Sequence, residues 1–368
     1  QVIATLVFKV PILKGIKMQS GNNMLQPATY ECEAVDCDLL HMEWLKGLGK
    51  STYCFLFQCL PEDLPLGYDL YVITFAEWID EHWLIQQYNR LGAPIIVLSD
   101  AEIYNTPFPD GIQFKKYYYL HTQFDLIRTW FPNKVNKNLQ YKYSAICNRI
   151  SQSKIWITTA LLESAKQHTL CKLSNWLEEK NVHNWQNTSS NTLNNLTKTF
   201  RDKWLGVKIN LEDTSSFVNN QKYTSDPWNS VYQNCALHFT NESDHYSYTH
   251  NHLGQYLRPG PFLTEKTFKC LLGGTGFIPV GKYNTYGFLR DIGFKFNYDF
   301  DISWDNEPKD LTRFENLVKL IYKLNKMSAQ EIFDCTKHSS EFNQDYIYSG
   351  DFYKFCETQN QKVINDLT

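Results

Sequence analysis

Short, continuously apolar runs recur along the first hundred residues with helix-patterned stretches between them, and that alternation restricts the chain to few architectures. Thr52–Cys59 (TYCFLFQC), Leu70–Phe75 (LYVITF) and Pro94–Ser99 (PIIVLS) are such runs, and Ala4–Val10 (ATLVFKV) is another. Continuous hydrophobicity fits strands covered on both faces, as in a parallel sheet. Between two of them, Ala76–Arg90 places Trp78, Trp83, Ile85 and Tyr88 at roughly helical spacing, with Gly92 where a helix would stop. Strands alternating with helices predict βαβ units.

A second series follows the polar stretch Asn133–Leu139, which reads as an interdomain linker. It predicts a strand over Tyr141–Cys147, a loop over Asn148–Ser153 and a helix from about Lys154 to Gln167. Asn181–Phe200 is rich in Asn, Thr and Ser; it reads as an excursion or partly mobile loop with one short helix, outside the core. Strands are predicted over Cys235–Thr240 and Gly276–Val280, with helices near Glu265–Leu272 and over Leu311–Leu324, and the last 40 residues read as largely helical. The expected fold is therefore α/β, with two Rossmann-type βαβ domains facing a cleft. The expected boundaries are 1–135 for the first domain, 140–330 for the second, and 331–368 for a helical segment returning to the first.

Composition narrows the function classes. The net charge is −3 across 368 residues, with a pI near 6.4, so no global basic field recruits polyanions. DNA is thus a disfavoured partner. The ten cysteines show no dense framework, and Cys54 and Cys235 sit inside apolar runs, where a thiol acts as a small hydrophobe. A reduced cytoplasmic setting is the expectation. No apolar run reaches the roughly 18–20 residues that span a bilayer, so no membrane span is expected. Asn187, Asn195 and Asn241 open Asn-x-Ser/Thr triplets, which carry little weight alone.

Chemistry concentrates between Cys235 and Gly281 (CALHFTNESDHYSY…PGPFLTEKTFKCLLGGTGFIPVG). A buried strand ending at Thr240 delivers Asn241, Glu242 and Ser243 at its carboxyl end, where open α/β sheets bind ligands. Thr264 stands as N-cap of a helix whose first turn holds Glu265 and Lys266. The amides and dipole of such a turn favour an anion such as a diphosphate, with Lys266 adding charge and Glu265 accepting from a ribose diol. A solvated helix start would look the same.

Other patterns lead nowhere firm. His245, His250 and His252 match no metal-site spacing and read as a polar loop, in which His245 or Tyr246 could touch the phosphate or sugar of such a ligand. The pairs Cys32/Cys37 and Cys54/Cys59 do not frame a zinc site. Gly47–Thr52 (GLGKST) contains Gly-Lys-Ser, but Trp44 stands where a P-loop needs its first Gly. Trp44, Trp78 and Trp83 read as packing residues. No metal site is expected.

The order strand, Asn/Glu/Ser cluster, aromatic-x-Thr-Glu-Lys, helix and final strand resembles the donor site of α1,3-fucosyltransferases. That resemblance implies a GT-B fold, with Glu265 and Lys266 holding the ribose and diphosphate of a nucleotide sugar and Asn241 and Glu242 in the preceding loop. Phe262 replaces the family's Tyr, and the family's Glu-Asn stands inverted as Asn241-Glu242, which leaves the donor's identity open. Ser144–Leu161 resembles the opening of the family's donor domain. Its phosphate-binding Arg falls nearest Lys154, with Arg149 competing and Asn148 in the same loop. Pro94–Asp100 resembles the strand that carries the catalytic base, so Asp100 is the first choice and Glu102 the second. Tyr286–Arg313 resembles a Gly-Phe…Asp…Trp-Asp…Arg pattern of phage-encoded glycosyltransferase-like proteins, without assignable roles.

The implied function is metal-independent, inverting transfer of a sugar from a GDP- or UDP-linked donor to a hydroxyl acceptor such as a glycan. No cofactor is implied besides the donor as co-substrate. The site would be the cytosol, that of the host if the chain is phage-encoded. A non-catalytic nucleotide-sugar or glycan-binding protein, and a phage hydroxymethylpyrimidine transferase, stand as alternatives.

Overall fold

The computed structural model describes residues 52–57, 63–75, 81–99, 108–118, 134, 137–147, 151–173, 187–205, 231–241, 261, 263 and 265–367. The strand expected over Ala4–Val10 lies outside them. Among the described residues, eight strands form two four-stranded parallel sheets. The chain is an α/β protein.

The first sheet is built in simple sequence order. It comprises β1 (Thr52–Phe57), β2 (Leu70–Phe75), β3 (Ile95–Ser99) and β4 (Ile112–Lys116). Helix α1 (Glu81–Leu91) crosses between β2 and β3, and Gly92 follows it at φ 63°, a left-handed conformation that glycine adopts without strain. Trp83 and Leu84 of α1 pack with Tyr71, Ile73, Ile95, Val97 and Ile112, so the apolar runs face a helix as the sequence predicts.

The second sheet has the order β6-β5-β7-β8, with β5 at Tyr141–Cys147, β6 at Thr169–Leu173, β7 at Cys235–Asn241 and β8 at Gly276–Val280. Helix α2 (Gln152–Ala165) is buried along most of its length, because it lies between the sheet and other helices instead of on the surface. It packs against α3 (Asn191–Thr199) and α6 (Asp310–Leu324).

Here one expectation is corrected. Within Asn181–Phe200, the helix α3 is part of the core. Leu193 and Leu196 are buried in the main cluster; Phe200 and Trp204, in the π-helical turn that follows, pack on Ile155 and Leu162. Trp156 Nε1 donates to Thr197 Oγ1 at 2.9 Å, and Ser190 caps the helix. Asn191, Thr192 and Asn195, which suggested a loop, occupy its exposed face, while Thr197 turns inward to Trp156.

The stretch expected as a linker is also anchored. Asn138 and Gln140 amides donate to the carbonyls of Gln233 and Asn234 at 2.9 Å each. Lys137 Nζ donates to Tyr232 O at 2.6 Å and to Thr275 Oγ1.

With α4 at Glu265–Leu272, the chain continues through α5 (Thr285–Asp291), α6, α7 (Ala329–Tyr348) and α8 (Asp351–Leu367). Helix α7 lies on the second sheet with a polar inner face: Thr336, Ser339, Ser340, Asn343 and Gln344 are all buried. Each grips backbone where a partner is required. Asn343 exchanges two hydrogen bonds with the amide and carbonyl of Lys295 at 2.7 and 2.8 Å, Ser339 Oγ accepts from the Asn297 amide at 2.8 Å, and Gln344 Nε2 donates to Leu272 O at 2.7 Å. Helix α8 runs on to contact β4 of the first sheet.

Candidate functional site

Strand order decides where a ligand fits. From β5 the chain goes to one side, to β6, and then returns to the other side, to β7. The carboxyl ends of β5 and β7 therefore flank a point where the order reverses, the place where open α/β sheets leave a crevice. Asn241, the last residue of β7, stands there, paired in register with Val280 of β8.

Asn241 is 2% exposed. Its Nδ2 donates to the Ile146 carbonyl at 3.1 Å, tying the ends of β5 and β7 together. Its Oδ1 is buried without a partner among the described residues. An unmet buried acceptor costs about 1–3 kcal/mol, which a donor group placed there would recover.

Helix α2 is the next described element after β5 and begins without a side-chain cap. Ser151 stands at the N-cap without a side-chain capping bond, and no acidic residue occupies the first turn. Lys154, in that turn, is 6% exposed. The helix N-terminus with its dipole and a lysine thus follow the strand that flanks the reversal point, a combination that favours an anion. Lys266, in the first turn of α4, is half-buried, and Glu265 opens that helix.

Among the described residues, Asn241 ends β7 and Lys154 lies in the first turn of the helix that follows β5, while Lys266 lies in the first turn of the helix that leads into β8. Asn148, Arg149, Glu242, His245, Tyr246, Phe262 and Thr264 lie outside the described residues. So do Asp100 and Glu102, just beyond β3. Among the described residues, no three of His, Cys, Asp and Glu gather as a metal site would require, and no helix is long and apolar enough to cross a membrane.

A second cluster, at the exit of β8, was not assigned from sequence. Arg313 of α6 is fully buried; its Nη2 donates to Gly281 O and its Nη1 to Glu307 O, both at 3.1 Å, and it pairs with Asp310 at 2.6 Å. Asp305 is 1% exposed. Its Oδ2 accepts from the Tyr286 amide at 2.7 Å, and its carbonyl accepts from the Asn284 amide. Burial pushes its carboxyl up to about 7, against the opposing pull of the Tyr286 and Thr285 amides and of Arg313 and Arg290. The Trp-Asp…Arg pattern was the sequence signal for this cluster, but spacing alone gave it no role.

The remaining buried histidine of the sheet, His238, is structural. Its Nδ1 lies 2.5 Å from Ser144 Oγ on the adjacent strand, and burial, reinforced by Lys269, pushes its pKa down to about 3. It stays neutral at any working pH.

Fold and site together define an α/β protein with two parallel sheets, the second of which reverses its strand order beside Asn241. Set against protein-family models, curated proteins and solved structures, the chain finds no match.

Proposed function

We propose that the chain is a glycosyltransferase of GT-B architecture that moves a sugar from a GDP- or UDP-linked donor to a hydroxyl acceptor. The observation that carries this reading is the strand-order reversal at β5 and β7, where Asn241 ends β7 with a buried Oδ1 that lacks a partner among the described residues. Helix α2, which follows β5, begins without a side-chain cap or an acidic residue and carries buried Lys154 in its first turn. These are the needs of a leaving diphosphate: fixed amides and cations placed where negative charge develops.

The Phe-Leu-Thr-Glu-Lys segment adds the chemistry that the resemblance implies. In this reading Glu265 accepts from the ribose, and Lys266 and Lys154 or Arg149 neutralise the phosphates in place of a metal ion. Asp100, or Glu102, takes the acceptor's proton in an inverting displacement.

The test is calorimetric titration of GDP, UDP and their sugar conjugates into the protein and into Glu265→Ala. Wild type is expected to bind one nucleotide class, and the variant to lose that binding with an unchanged circular-dichroism spectrum. Equal affinity in the variant would remove Glu265 from the site; no binding by the wild type would remove the donor reading. Transfer assays with varied acceptors then separate a transferase from a binding protein.

A further inference from the structure

The loop that leaves β8 is held from two sides. Val280 is paired with Asn241, so Gly281 and Lys282 follow immediately beside the crevice. Arg313 grips the loop at the Gly281 carbonyl. Asp305 grips its far end twice, through the Asn284 amide on its carbonyl and the Tyr286 amide on its carboxyl. Asn284 itself sits at φ 61°, a left-handed conformation that a non-glycine residue keeps only when its surroundings hold it there. Lys282, between the two grips, is 2% exposed.

Such a cluster is a poor choice for mere adhesion, because buried ionic groups rarely stabilise more than apolar packing of the same volume. What they supply is fixed backbone geometry, since each donor and acceptor has one direction.

We propose that Asp305 is a positioning residue for the crevice, setting where the Gly281–Asn284 loop lies beside Asn241. This deepens the donor-site reading and rests on it for the ligand, though not for the loop. The groups facing the Asp305 carboxyl are Arg313 from α6 and Arg290, Tyr286 and the Thr285 amide from α5. When the loop opens, the carboxyl meets water and returns to the ordinary aspartate range near 3.9. The closed loop therefore binds a proton more tightly than the open one, and raising the pH favours opening. With a closed-state value of about 7, the opening equilibrium rises roughly tenfold between about pH 6 and about pH 8.

Two measurements test this, on wild type and Asp305→Asn, which keeps the acceptor oxygen but cannot ionise. The first is amide hydrogen exchange over residues 281–286, corrected for intrinsic rates. Wild type is expected to lose roughly tenfold in protection across that pH range, and Asp305→Asn to hold constant protection. The second is GDP and UDP affinity at the same pH values, expected to weaken with pH in wild type relative to the variant.

The same pH response in both proteins, or a flat exchange profile in wild type, overturns the proposal; the wild-type profile decides even if Asp305→Asn fails to fold. If wild type binds neither nucleotide, the donor reading falls alone, and exchange still decides the role of Asp305.

Discussion

Tyr118 and Asn360 exchange two hydrogen bonds across 242 positions of sequence: the Tyr118 amide donates to Asn360 Oδ1 at 2.8 Å, and Asn360 Nδ2 donates to the Tyr118 carbonyl at 3.1 Å. The pair joins the chain just after β4 to α8, and both residues are buried. A planar amide facing a peptide unit satisfies both of its groups at once, which apolar contact could not.

Asn360→Ala is accordingly expected to destabilise by about 2–4 kcal/mol, because it leaves a buried amide and a buried carbonyl unmet. Denaturant unfolding measures the loss. A change under about 0.5 kcal/mol, the range of an ordinary surface substitution, would show that the clamp is idle.

Asn241→Leu separates binding from stability. The substitution removes the acceptor that lacks a partner among the described residues and one hydrogen bond, to Ile146. Stability is expected to fall by no more than about 1–3 kcal/mol, the cost of the Ile146 carbonyl left without its donor. Nucleotide affinity is expected to fall at least about tenfold, since a buried hydrogen bond to a charged or polar ligand contributes about 1.5–3 kcal/mol. Unchanged affinity would exclude Asn241 from the crevice's ligand contacts.

Lys137 predicts a pH dependence in the basic range. The residue as a whole is half-buried, but its ammonium is enclosed by Tyr232 O and Thr275 Oγ1, and burial pushes it down to about 7, against the weaker pull of Cys235 and Cys270. The unfolded chain holds that proton up to its ordinary value of 10.5. Between about 7 and 10.5 the unfolded state therefore binds more protons, and this group's contribution to stability rises with pH, by up to about 1.4 kcal/mol per unit. The contribution is complete above the unfolded value and lost as the pH falls to the folded one. Lys137→Met should flatten the stability profile over that range in urea titrations at stepped pH. An unaltered slope would assign the proton elsewhere.

Gly274 sits at φ 59°, and a Cβ there would lie 2.9–3.0 Å from the amide group of Gln344. Gly274→Ala is expected to cost more than about 1 kcal/mol by backbone strain, before any displacement of Gln344. A neutral effect on the thermal midpoint would mean that the turn relaxes freely.

Legibility from sequence varied with what each residue had to do. Leu70–Phe75 and Gly276–Val280 are strands to the residue, because buried parallel strands display near-continuous hydrophobicity. The strands Ile112–Lys116 and Thr169–Leu173 went unseen, since IQFKK and TLCKL mix charge with apolar residues at the sheet margins. Without β6 the strand-order reversal is invisible, so the sequence pointed to Asn241 by its place at a strand's carboxyl end and by motif, and not by strand order. Arg313 was hidden for a different reason. A charged residue in a helical pattern reads as solvent-facing, and only its carbonyl and carboxylate partners, distant or on the same turn, reveal it as core.

Helix α7 holds its neighbours by their main chain, which divides the burden of specification unequally. The backbone at Lys295 and Asn297 offers the same amides and carbonyl whatever side chains it bears. Those positions are free to drift to any residue with an N–H, proline alone being barred. Ser339 and Asn343 have no such freedom. In descendants of this chain, change should accumulate on the gripped loop while the gripping helix stays fixed, so that one side of the contact carries nearly all of its information.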